Sequence, residues 1–259
     1  MSRNLRLETL ILLECLGEAV LDTAGALFNP TAGRFTGCGG DVEPLERKLR
    51  CLAARGVITL PTPADPRTVR LTATGRELVS SGIDSATRWR RPWDGKWRMV
   101  LFDVAEHERP VRARLRLALR RARLGYLQGS VWISPDPLDQ LHETVKSMTA
   151  NPEALLFFEG RPFAGEYDAA LVSGGWNFPR INEAYRASLA VLGALPKASA
   201  APRLWRDWLV REHAAWTRAT AADPFLPEGL LPPDYLGRKV YEARPSALKR
   251  ATAHLFSAA

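Results

Sequence analysis

The sequence predicts an α+β chain of three consecutive parts: a winged helix-turn-helix over 1–82, a ferredoxin-like domain over 88–162 and a helical domain over 165–259. Three observations carry this. Before residue 82, helical patterns give way to two short strand patterns around a proline-rich turn, then to a further helical pattern. The stretch Trp93–Pro135 (WDGKWRMVLFDVAEHERPVRARLRLALRRARLGYLQGSVWISP) runs from a buried-strand pattern into a basic helix and on to a second strand pattern. The last third is helical in pattern and broken by prolines.

Composition bounds the function classes. At roughly 100–200 residues per domain, 259 residues allow two or three domains. A hydrophobic share of 46% is that of a soluble globular protein. A net charge of +8 favours an anionic partner, and nucleic acid, a coenzyme A ester and an acidic membrane surface all fit it. The apolar run Leu10–Leu13 is too short for a secretory signal and is flanked by Glu8 and Glu14. No run approaches the ~20 residues that span a bilayer, so no membrane partner is expected. Cys15, Cys38 and Cys51 make neither a CxxC nor an even framework, which points to a reduced, cytoplasmic protein. Cys15 and Cys51 lie on helical patterns and are expected in or near the core.

The elements follow in order. A mostly apolar stretch over 5–16 suits a central helix, and Asp22 or Thr23 can cap a second helix reaching Phe28. Asn29–Gly40 is Gly-rich but lacks the GK[ST] ending of a phosphate loop, so it is expected to be an ordinary loop. A third helix carries Pro44 near its first turn, with Leu45, Leu49 and Leu52 at core spacing. That leaves Glu43, Arg47 and Arg50 on an outer face, with Lys48 and Arg55 beside it, and Gly56 as the stop. Strands over Val57–Leu60 and Arg67–Leu71, joined through Pro61, Pro63 and Pro66, would make a wing, and Thr72–Ser80 looks helical.

Arg88, Trp89, Arg90, Arg91 and Pro92 form a stiff basic connection, and all eight tryptophans lie beyond residue 88. The middle part reads as a strand over Trp97–Val104, a helix opened by Pro110, a strand pair bent at Gly129, a helix over Pro137–Met148 and a strand over Ala154–Phe158. On its first helix Val111, Leu115, Leu119 and Ala122 should face the sheet. Arg112, Arg116, Arg120 and Arg123 form a stripe elsewhere, either a solvated face or a second anion contact. A small-residue linker, Gly193–Pro202, precedes the segment holding Trp205, Trp208 and Trp216. The run Asp223, Pro224, Leu226, Pro227, Leu230, Leu231, Pro232 specifies one rigid, packed loop.

The chain resembles the phenylacetate-degradation repressor family, the PaaX-type regulators. The residues that carry the likeness are WDGKW at Trp93–Trp97, Phe102–Asp103, the arginine-rich segment around Leu115–Arg116, GYLQGSVWISP at Gly125–Pro135 and DPFLPEGLLPPDYLG at Asp223–Gly237. LAARGVI before the expected wing, at Leu52–Ile58, extends it. The chain departs from the family pattern at Glu46 and Cys51, where arginines are usual, and at Tyr235, where tryptophan is more common. The resemblance implies a winged-helix domain, a ferredoxin-like domain similar to small CRISPR-associated nucleases, and a helical C-terminal domain. It also implies a dimeric regulator of transcription, usually a repressor, relieved by an aryl-CoA or other acyl-CoA thioester. On that basis Arg47, Lys48 and Arg50 are expected at the major groove of duplex DNA, and Arg67 and Arg70 at the flanking backbone or minor groove. An acyl-CoA site needs an apolar pocket with cations at its mouth. Trp132, Trp176 and Trp216, with Arg211, Arg218 and the helix residues Arg116 and Arg120, are the candidates, against the plainer reading that the tryptophans are core.

An enzyme reading rests on Asp103 alone, at the strand end where CRISPR-associated nucleases hold a metal-binding aspartate. A nuclease metal site needs several carboxylates, and no acidic partner is evident. His107, His142, His213 and His254 show no metal-ligand spacing, and GxSxG, HExxH and GxGxxG are missing from the sequence. No catalytic residue, metal or cofactor is therefore expected. The alternatives are a nuclease-like protein using Asp103, or a ligand-binding protein with weakened DNA recognition.

Overall fold

A computed structural model describes residues 28–29, 34–35, 42–60, 70–75, 85–104, 106–148, 155–164 and 167–256. The expected helices over 5–16 and from Asp22 lie outside these residues but for Phe28, as do Cys15, Cys38 and the wing turn through Pro61, Pro63 and Pro66. The chain divides into two compact units, each discontinuous in sequence. One is Met1–Asp84 with Glu183–Ala221 and Leu236–Ala259, and the other is Ser85–Asn182 with Ala222–Tyr235.

The second unit is built on a four-stranded antiparallel sheet of β5 (Trp97–Phe102), β6 (Gly125–Gln128), β7 (Val131–Ser134) and β8 (Leu155–Gly160), in the order β6-β7-β5-β8. With α3 (Arg109–Arg121) between β5 and β6, and α4 (Asp139–Lys146) between β7 and β8, this is the ferredoxin-like order. Strand alternation sorts the two faces. Val100 pairs with Trp132 and Phe157, and Phe102 with Leu155. All but Phe157 are buried, and they pack with Leu115 and Leu119 of α3 and Val145 of α4, while Val111 and Phe157 flank that core. Ala122, expected on the same face, is instead exposed, because α3 ends at Arg121 and the chain has already turned.

On the opposite face, Ile133 and Gly125 lie under α5 (Asp168–Gly175) and Trp176. Gly125 is required there. A Cβ at this position would stand 2.8 Å from Cε2 and Cζ2 of Trp176. The Trp176 indole also lies 6.2 Å from that of Trp97 and donates Nε1 to the Arg123 carbonyl at 3.1 Å. The connection before β5 is short: α2 (Ser85–Arg90) buries Trp89, which meets Phe225 and Tyr235 at 5.7 and 6.0 Å.

The proline-rich loop is buried from Asp223 to Pro227, as its composition demanded. Asp223 accepts the Phe225 amide at 2.7 Å on one carboxylate oxygen and the Tyr235 hydroxyl on the other. Arg91 donates to the Phe225 carbonyl while gripping Asp136 in a two-pronged pair at 2.6 and 2.8 Å. Arg123 donates to the Asp223 carbonyl.

The other unit contains α6 from Glu183 onward (the helix spans Phe178–Gly193), most of α7 (Pro202–Ala222) and α8 (Gly237–Phe256). Its core holds Tyr185, Trp205, Trp208, Val240 and Leu248. Trp208 donates to the Val191 carbonyl at 2.8 Å, tying α7 to α6. Glu212 on α7 and Arg244 on α8 form a buried pair at 2.6 and 3.1 Å, with the guanidinium 4.8 Å above the Trp216 ring.

Candidate nucleic-acid interface

The candidate interface is built on α1 (Val42–Ala54) and on a short antiparallel pair, β3 (Ile58–Thr59) and β4 (Arg70–Leu71). A second two-residue pair precedes α1: β1 (Phe28–Asn29) with β2 (Arg34–Phe35). This corrects the expectation that a helix reaches Phe28 and that Asn29–Gly40 is plain loop. Pro30 biases Asn29 toward extended backbone, which suits the strand pair found where glycine content suggested only a loop.

Helix phase decides what α1 presents. With ~100° per residue and Arg47 as origin, Cys51 lies near +40°, Ala54 near −20° and Arg50 near −60°. Leu49 and Leu52 fall on the other side. The observed burial follows this division: Leu49 and Leu52 are 1% and 2% exposed, and Arg47, Arg50, Cys51 and Ala54 are all exposed. Cys51 is thus not the near-core residue its helical pattern suggested. Four residues after Arg47, it shares the arginine face. Arg55 lies past the helix end and is half-buried.

Three local devices fix α1 against the strand pair. Gly56 stands at φ +66° beyond the helix end. Its amide bonds to the Ala53 carbonyl at 2.8 Å and that of Val57 to Leu52 at 2.9 Å, which closes the helix with a left-handed cap. The Thr72 hydroxyl then donates toward the Gly56 and Val57 carbonyls at 2.6 and 3.0 Å, and accepts the Gly75 amide at 3.0 Å. One side chain so joins the end of α1 to the helical turn at 73–75. Gly75 is buried against Val57, and a Cβ there would lie 2.1 Å from the Val57 carbonyl oxygen. Sequence reading missed Cys51, Ala54, Thr72 and Gly75. A helical wheel anchored on Leu49 and Leu52 signals the first two, whereas nothing local signals the others.

Of the expected DNA contacts, Arg47 and Arg50 stand together on the exposed face. Lys48 is on α1 and Arg70 on β4, but their side chains fall outside the described ones, and Arg67 lies outside the described residues altogether.

The expected effector residues divide between the units. Trp132 is 1% exposed, within the core under α3, and Trp176 is half-buried on the opposite sheet face. In the other unit Trp216 lies beneath Arg244 with Tyr185 and Tyr241 each 6.4 Å away, while Arg211 and Arg218 are exposed on α7. The arginine stripe of α3 is partly consumed by the fold. Arg112 donates to the Val104 carbonyl, and Arg123 holds the proline-rich loop. Arg116 is half-buried and Arg120 is exposed.

Asp103 follows β5 and is exposed. Among the described residues no group of three His, Cys, Asp or Glu side chains could hold a metal ion, and no helix is long and apolar enough to cross a membrane. A carboxylate is strongly perturbed at the other end of β5. The hydrogen bond from Arg98, first among the causes, lowers Asp94 from 3.8 to about 2. Arg98 and Lys96 also hold Glu159, directly opposite Arg98 on β8, at 3.0 and 2.5 Å.

Residues 90–172 match the family model of the PaaX protein central Cas2-like domain. It is thus the middle, ferredoxin-like domain that is similar to the PaaX central domain. The match spans the whole ferredoxin-like sheet and continues into α5, the helix that closes the second sheet face. Among solved structures, the chain is similar to uncharacterized protein Rv0674 from Mycobacterium tuberculosis, at 24% identity and a TM-score of 0.57, over 95% of this chain and 97% of that one. The likeness shows that the fold extends beyond the PaaX-type domain to nearly the whole chain. No curated protein matched the sequence.

Proposed function

We propose that this PaaX-type chain is a DNA-binding regulator of transcription that presents α1 to the major groove and the β3–β4 wing to the flanking backbone. The observation that carries this is the exposed face of α1, where Arg47 and Arg50 stand together, followed directly by an antiparallel strand pair. Helix, strand pair and helical turn in this order support a winged helix-turn-helix. The net charge of +8 supports an anionic partner, and the PaaX central domain supports regulation over catalysis. The regulator acts as a homodimer and as a repressor, and an acyl-CoA thioester releases it. Trp176, half-buried, and Arg120, exposed, are better placed to meet a ligand than the enclosed Trp132.

The test is binding to the duplex upstream of the protein's own coding region, by gel shift and by fluorescence anisotropy across a salt series. With about six phosphates neutralised, log K should fall against log salt with a slope of roughly −5. Arg47→Ala should relax one operator position at a cost of about 1–3 kcal/mol. Arg70→Ala should weaken all sequences alike. Salt-independent association, or none at low salt, overturns the proposal.

A further inference from the structure

We infer that Cys51 and Ala54 are base-reading residues, forming a small apolar surface beside Arg47 and Arg50 that reads thymine methyl groups. The inference rests on the DNA-binding reading and deepens it. The four exposed residues of α1 with described side chains, Arg47, Arg50, Cys51 and Ala54, fall within an arc of about 100°. A face that only meets water commonly carries long charged side chains throughout. Here the two positions between and beyond the arginines are small and apolar, so the helix backbone can approach a partner closely there.

The partner's chemistry follows from that arrangement. A guanidinium is suited to guanine O6 and N7 in the major groove, or to phosphate. A small apolar side chain has one sequence-specific partner in the same groove, the thymine C5-methyl group. From Arg47 to Ala54 the helix rises about 10.5 Å at 1.5 Å per residue. That matches about three base-pair steps of 3.4 Å. Each half-site is therefore expected to hold a short block in which guanine positions set by arginine adjoin one or two thymines set by Cys51 and Ala54.

The full-length protein and its selected operator provide the experiment. Each thymine of the operator is replaced in turn by uracil, which removes only the methyl group. Wild-type affinity should fall about fourfold at one or two positions per half-site, the worth of one buried methyl group. Cys51→Ser or Ala54→Ser should each lower affinity for the thymine operator by about the same fourfold and abolish the further effect of uracil at its own position, while the positions set by Arg47 stay selective. Circular dichroism should show unchanged folding, since both residues are exposed. If uracil is tolerated everywhere while the protein still selects an operator and Arg47→Ala still relaxes it, this inference is wrong and the DNA-binding reading stands. If no duplex is bound at all, both fall together.

Discussion

Removing one half of the Glu212–Arg244 pair should be far more damaging than removing both halves. The two side chains are 3% and 7% exposed, and they join α7 to α8 through two hydrogen bonds at 2.6 and 3.1 Å. Glu212→Leu leaves a guanidinium buried without its carboxylate. Breaking such a pair costs about 3–5 kcal/mol. Arg244 keeps its place 4.8 Å above the Trp216 ring. That contact, worth about 1 kcal/mol, exists before and after the change and returns nothing. The reverse single variant, Arg244→Met, strands the carboxylate and loses the ring contact as well.

The double variant Glu212→Leu/Arg244→Met exchanges both charges for apolar groups of similar volume. It should lie within about 1 kcal/mol of wild type, because the desolvation of both ions disappears with their attraction. Urea titrations followed by tryptophan fluorescence suit the question, since Trp216 sits under the pair. The single variants should lose about 3 kcal/mol, or roughly 6–12 °C in melting temperature for a protein of this size. A double-mutant cycle should give a coupling close to the sum of the two single losses, because the double variant itself loses almost nothing. A single variant losing less than about 1 kcal/mol, or a double variant as unstable as either single one, would refute the reasoning.

Three other outcomes are expected. Gly75→Ala places a methyl group 2.1 Å from the Val57 carbonyl oxygen. Backbone cannot yield cheaply there, so DNA binding should be lost while thermal melting of the sheet-containing unit is unchanged. Gly125→Ala drives a methyl group to 2.8 Å from the Trp176 ring and should cost about 1–3 kcal/mol, most of it recovered by Gly125→Ala/Trp176→Leu in chemical denaturation. The Asp94 carboxyl should titrate near 2 by carboxyl NMR, and Arg98→Ala should return it toward 3.8. Because the folded value is the lower one, this stabilisation is complete above about 4 and is lost as pH falls toward 2.

Much of the second unit was legible because its signals are local. Alternation in Trp97–Phe102 and helical spacing in Leu115 and Leu119 name their own faces once the elements are ordered. On α1, Leu49, Leu52 and Gly56 behaved as spacing and backbone preference require. Cys51 was misjudged because a helical pattern says that a residue lies on a helix, while only the phase relative to Leu49 says on which side. Ala122 failed for a related reason: the 3.6-residue repeat was extended past the last helical residue. The fates of Arg91, Arg112 and Arg123 could not be read from sequence. Each is consumed by a backbone carbonyl, and the carbonyl that Arg123 serves lies 100 residues along the chain. A charge stripe in a sequence records side chains, not the unsatisfied carbonyls that will claim them.

Arg123 also shows how such a distant partner alters a local rule. Helix α3 closes by the same two hydrogen bonds as α1, Arg123 to Arg120 at 2.9 Å and Leu124 to Leu119 at 3.0 Å. In α1 the left-handed position is glycine, whereas in α3 it is Arg123 at φ +64°. A left-handed non-glycine backbone costs about 1–2 kcal/mol. Phe225, at φ +50°, bears the same strain, and its ring lies 4.8 Å beneath the Arg123 guanidinium. The two strained residues thus pack on each other, and Arg123 also serves the Asp223 carbonyl. A charged hydrogen bond contributes about 1.5–3 kcal/mol and the ring contact about 1 kcal/mol more. Their sum exceeds the strain at Arg123. Arg123→Gly, a change that ordinarily stabilises a left-handed position, should therefore lose about 1–2 kcal/mol here in denaturant titration. Arg123→Lys, which keeps the charge and a donor but also the strain, should lose less than Arg123→Gly if the retained carbonyl bond outweighs that strain. A gain in stability with glycine would show that the clamp on the proline-rich loop contributes less than the backbone strain it requires.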